Sequence, residues 1–125
     1  MTADSKALPI KPPIPFGEFE RVDMRVARVV DAPMAEGTRK PCRLFDLDLG
    51  PLGRLRAVGQ FALVPIEQLV GHKLIVCCNL GPRRMGPYTS EALVMGVPHP
   101  ASPADQEQAT PLFVDDVAPC GASVF

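Results

Sequence analysis

The chain has no tryptophan and a single tyrosine beside six phenylalanines among its 125 residues, so a surface that stacks several unpaired bases has little aromatic material to draw on. Metal ligands are equally sparse: His72 and His99 are the only histidines, and Cys42, Cys77, Cys78 and Cys120 form no Cys-x-x-Cys pair, which implies neither a metal nor a cofactor. Cys77 and Cys78 are neighbours in an extended segment and point to opposite faces, so the thiols read as buried and free. No run of 18 apolar residues is present, and the opening MTADSKALPIKPPIP lacks an apolar h-region and a cleavage pattern. No membrane insertion is expected, and the expected location is cytoplasmic. Fifteen prolines and ten glycines, a fifth of the chain, interrupt every helical pattern of useful length and favour short strands over a bundle.

What is present is a division of charge. Between residues 21 and 96 eleven Lys and Arg face seven acids, whereas from residue 97 onward four acids stand without a single Lys or Arg. The body is mildly basic and the tail acidic, within a net charge of −1. Such a body holds a few phosphates, but the molecule as a whole is no strong non-specific polyanion binder.

One domain is expected, with residues 1–15 a Pro-rich arm, 16–97 its body and 98–125 an acidic extension packed on that body or on a dimer partner. FGEFE suggests one helical turn. From Arg21 the pattern alternates, with Val22, Met24 and Val26 inward. RLFDLDLG follows as a second strand with Phe45, Leu47 and Leu49 inward and Arg43, Asp46 and Asp48 on the other side, Leu44 being the exception. RLRAVGQF is a third, with Leu55, Ala57 and Phe61 on one face and Arg54, Arg56 and Gln60 on the other. VPIEQLVG reads as a short helical segment. KLIVCCNL, apolar on both faces, is a central strand or one covered by an arm or a second subunit. TSEALVMGV is the fifth strand, and PLFV a short one near the end.

This order is that of an all-β fold: a five-stranded OB-fold Greek-key barrel with a short helix between strands three and four and N- and C-terminal extensions. Ligands of that architecture use the face of strands two and three and the loops joining strands one to two and four to five. Arg39, Lys40, Arg54, Arg56, Arg83 and Arg84 thereby converge on one side, with Asn79, Tyr88 and Ser90. Arg83 and Arg84 either reach phosphates or decorate a solvated turn. Asn79 and Ser90 either bind a base edge, a ribose hydroxyl or a peptide backbone, or cap their own loop. Glu91 shares the parity of Leu93 and Met95, so its carboxylate is expected to be partly buried and paired with Arg25, Arg83 or Arg84. No second acid, base or metal accompanies it, and Ser90 has no histidine at motif spacing, so no enzyme is expected. With Tyr88 and Phe61 the only aromatics near the face, structured RNA fits better than unstructured single strands. A peptide-binding alternative uses Met34, Phe61 and Met85 as adaptable contacts.

The runs VDMRVARVVDA, TRKPCRLFDLDLG, EQLVGHKLIVCCNLGPRRMGPYTSEALVMGV and VAPCGASV resemble the tRNA-binding-domain family, and within it the CsaA-type export-related chaperones. The resemblance implies an OB-fold homodimer that binds tRNA by shape without catalysis and, for the CsaA branch, unfolded or presecretory polypeptides. Arg25, Asn79, Ser90 and Glu91 fall on its motif positions, with Arg39, Arg83 and Arg84 on its basic loop positions. Ala27 and the Gly86-Pro87 pair depart from its glycine pattern.

Overall fold

The alternating stretches become the antiparallel sheet of a computed structural model that describes residues 8–125. Strands β1 (Met24–Asp31), β2 (Met34–Ala35), β3 (Cys42–Asp48), β4 (Arg54–Gly59), β5 (Lys73–Cys77) and β8 (Leu93–Val94) make the main sheet. Between the last two lie β6 (Arg83–Met85) and β7 (Tyr88–Ser90), a separate hairpin, and β9 (Gly96–Pro98) pairs with β10 (Ala109–Pro111) beyond them. The order across the main sheet is β2-β3-β1-β5-β8, with β4 on the far side of β3. That is the OB arrangement, with a 3-10 turn at Ile66–Gln68 in place of the expected helix. The helical turn expected in FGEFE is α1 (Phe16–Glu20). The part of the Pro-rich arm before Leu8 lies outside the described residues; residues 8–15 have no regular secondary structure and are exposed.

Phe45, Leu47 and Leu49 point inward and join Ala27, Val29, Leu74 and Val76 in the core. Two parities differ from the sequence reading. On β1 the core face is that of Ala27 and Val29, and Val26 is instead buried where the chain end returns, its N–H donating to Ala122 O and its carbonyl accepting from Gly121. On β3, Arg43 shares the inner face of Phe45 and is 8% exposed, while Leu44 lies on the outer face. The coverage of β5 also comes from within the chain. Beyond the short β8 pairing its edge bonds to residues 112–114, and Lys73 Nζ donates to Asp116 O and Ala118 O at 2.7 and 2.6 Å. A second subunit is not needed to explain why KLIVC is apolar on both faces.

Among the described residues, β4 and β8 form no ladder, so the sheet does not close by backbone pairing alone. Side chains bridge the seam. Ser90 Oγ accepts from Val58 N–H at 3.0 Å, Glu91 Oε1 accepts from Arg56 N–H at 2.8 Å, and Glu91 N–H donates to Arg56 O at 2.8 Å. Farther along, the Phe61 ring fills the gap edge-on to Phe45, with centroids 5.5 Å apart. Gly96 permits this: a Cβ there would lie 2.9 Å from the ring and 2.7 Å from Thr110 O.

Candidate functional site

The Gly86-Pro87 pair, a departure from the glycine pattern of the family the sequence resembles, is the turn of the β6–β7 hairpin. Gly86 has φ 60°, the left-handed value required at the first position of a type II′ turn. This hairpin is docked, not free. Met85 and Tyr88 cover a second apolar cluster of Ala35, Cys42, Val58 and Leu44 on the outer face of β3 and β4, which accounts for Leu44 as the exception to the alternation. The tip also interlocks with the loop before β3: a Cβ on Gly86 would stand 2.5 Å from Gly37 O, and Tyr88 Oη accepts from Glu36 N–H at 3.1 Å. Two loops remote in sequence therefore form one rim, fixed by apolar burial, a close backbone approach and a hydrogen bond.

The rim gathers most of the cations singled out in sequence. Arg39, Lys40 and Arg84 line a cleft of about 430 Å³ with Thr38, Gln60 and Met85. Beside it Arg54, Arg56, Tyr88 and Glu91 line another of about 530 Å³, where Asp46 also stands. Arg83, on the other side of β6, borders a third, apolar cleft over Phe61 and Leu93. Arg54 pairs with Asp46 at 3.2 Å, an exposed contact of little energetic weight. Arg39, Lys40, Arg56, Arg83 and Arg84 have no carboxylate partner among the described residues. Their field is left for a ligand.

Other sequence-predicted residues lie elsewhere or serve the fold. Arg25 and Asn79 border a different groove with Phe16, Phe19 and Phe125. Arg25 Nε donates to Asp23 at 2.7 Å and Nη1 to Gly121 O at 3.1 Å; the bond to Asp23 holds its guanidinium above the ordinary arginine range, against the opposing pull of burial. Asn79 brackets the entry to β1, with Nδ2 donating to Arg21 O and Oδ1 accepting from Asp23 N–H. Glu91 is exposed, and its partner is the Arg56 backbone, not Arg25, Arg83 or Arg84. The period-two argument fails there because the expected fifth strand breaks after Ser90 and resumes at Leu93. Of the three peptide contacts, Phe61 is buried at 3% exposure, Met34 is exposed on β2 and Met85 is half-buried on the rim. Phe61 and Met85 line the apolar cleft together, while Met34 is not among its lining residues.

Arg43 was missed. Its Nε, Nη1 and Nη2 donate to Phe61 O, Ala32 O and Val64 O at 3.1, 2.8 and 3.0 Å. One guanidinium ties three chain segments beneath the rim. At the rim itself, burial pushes the Cys42 thiol up, with partial opposition from a Thr38 hydrogen bond and the charge of Lys40.

No protein-family model matches the chain. The methionine–tRNA ligase of Cupriavidus necator is 44% identical over 106 residues, covering 82% of this chain and 14% of the ligase. That of Lactococcus lactis subsp. lactis is 36% identical over 118 residues, covering 90% of this chain and 16% of the ligase. The chain thus spans less than a fifth of the length of these curated relatives. Among solved structures, the chaperone CsaA from Bacillus anthracis superposes with a TM-score of 0.75 at 24% identity, covering 91% of this chain and 100% of that one. A MetRS-related protein from Pyrococcus horikoshii does so with a TM-score of 0.78 at 23% identity, covering 92% and 100%. Both share this fold.

Proposed function

We propose that the chain belongs to the tRNA-binding-domain family of OB folds, binds structured RNA of the tRNA class on the interlocked rim and catalyses no reaction there. One observation carries this reading: five cations without carboxylate partners among the described residues stand on or beside two segments locked together by Gly86 and Tyr88. Fixed cations facing solvent release counterions from a polyanion, and fixed loops lose little entropy on binding. The single rim tyrosine is half-buried with its hydroxyl engaged, which favours recognition by shape and phosphates over serial base stacking. Ser90 and Glu91 act as the latch that sets the rim on the sheet.

A second reading, capture of unfolded or presecretory polypeptides, draws support from a different region. Phe16, Phe19, Val22 and Phe125 leave exposed apolar side chains along a groove of mixed polarity that also holds Arg25 and Asn79. Under the RNA reading a second copy of the chain covers that groove and gives a homodimer. Both readings assign the chain to the cytoplasm.

Filter retention of tRNA between about 50 and 200 mM salt tests the choice. Retention that falls along a linear log–log plot, by about 0.9 per phosphate contacted on duplex, supports RNA binding. No retention at the lower salt, together with salt-independent suppression of aggregation of an unfolded client, selects the polypeptide reading.

A further inference from the structure

The cationic and apolar clefts of the rim share a wall. Gln60 and Met85 border both, while Arg84 faces the cationic cleft and Arg83 the apolar one, as successive residues of a strand must. The cationic cleft holds Arg39, Lys40 and Arg84 and no carboxylate. The apolar cleft, about 350 Å³, lies over the seam between β4 and β8, where the sheet has no ladder, and is walled by Val58, Leu93, Val94 and Met95. A continuous duplex does not use such a pair, because its phosphates face outward and its bases are stacked away from any side pocket.

We infer that the two clefts together take one extruded nucleotide of a structured RNA, with its phosphate against Arg39, Lys40 and Arg84 and its unpaired base in the apolar cleft. The inference rests on the RNA reading above and adds the substrate class, an RNA with a bulged or splayed-out nucleotide. Charge separates the occupants: the phosphate is drawn to the side that carries the cations, and the base, the one large and nearly uncharged part of the nucleotide, to the apolar side. Gln60 stands at the division, with an amide that offers both a donor and an acceptor to a base edge. Met85, unbranched and polarisable, supplies a wall that adjusts to purine or pyrimidine. Arg83, at the mouth of the apolar cleft, is available to stack on the base or meet the next phosphate.

The test compares two hairpin RNAs of equal length, one with a fully paired stem and one with a single-nucleotide bulge, by fluorescence anisotropy at one low salt concentration. Wild type should bind the bulged hairpin about tenfold more tightly, the scale of one accommodated base. Leu93→Phe, which fills the cleft, should erase that preference. Gln60→Leu, milder and retaining the wild-type circular dichroism spectrum, should alter the ranking of the four bulged bases. Equal binding of both hairpins by wild type overturns the extruded-nucleotide site while the RNA reading stands. Failure to bind either hairpin or tRNA overturns both, and a bulge preference that survives Leu93→Phe, with the base ranking unaltered in Gln60→Leu, overturns the assignment to this cleft.

Discussion

Arg43 and Arg84 carry the same guanidinium into opposite situations. Arg43, on the inner face of β3, gives its donors to three backbone carbonyls; Arg84, on the docked hairpin, borders an open cleft with no carboxylate partner among the described residues. Arg25 and Lys73 side with Arg43, each bonded to carbonyls of the returning chain end. Arg39, Lys40, Arg56 and Arg83 side with Arg84. Charge counted along a sequence is therefore not charge available to a ligand. An inner cation fixes segments relative to one another, and an outer one gives the surface a salt-dependent attraction for polyanions.

Breaking the inner set should have the largest effect. Arg43→Met removes the donors of Ala32, Phe61 and Val64 carbonyls together and should lower stability by about 3 kcal/mol or more, read as a shift of the urea midpoint. The salt slope of RNA binding by the remaining folded protein should not move. An unchanged midpoint would mean that the inner cation is no tie at all. The latch comes next: Ser90→Ala leaves the buried Val58 N–H without its acceptor and should cost about 1 to 3 kcal/mol. Equal stability of this variant and wild type would show that the seam closes without it.

Gly86→Ala sharpens the comparison at the rim, since a Cβ there is strained at φ 60° and collides with Gly37 O. A loss of about 1 to 2 kcal/mol is expected, together with a drop in tRNA affinity of the still-folded protein as Arg84 separates from Arg39 and Lys40. Wild-type affinity in this variant would detach the interlock from binding. The smallest effect concerns pH. The folded state raises the Cys42 pKa, so its stabilising preference for the neutral thiol is complete below the ordinary thiol range and is lost as pH rises through the folded value. The gap in midpoint between wild type and Cys42→Ala should shift only above that range; a shift near neutrality would place the thiol pKa on the wrong side.

Much of this was legible in advance. Alternation around Phe45 and Leu47 marks β3, the arginines of β4 fall outward as read, and the strand order identifies the OB fold before any relative is considered. Arg43 was legible too: two residues before Phe45 it must share the inner face, and its charge argued wrongly against its parity. Other features had no local signal. The ties of Asn79 to residues 21–23 and of Gly86 to Gly37 join segments more than forty residues apart, which no periodicity encodes. Three-residue strands such as β6 and β7 are too short to show alternation, so the hairpin that holds Arg83 and Arg84 reads as loop.

The division between inner and outer cations is tested most directly by the salt slope of tRNA binding in Arg84→Ala set beside Arg25→Ala. The slope should become shallower by about one for Arg84→Ala and stay at the wild-type value for Arg25→Ala, whose guanidinium is engaged with Asp23 and Gly121. Equal slopes in the two variants, or a change confined to Arg25→Ala, would contradict the account.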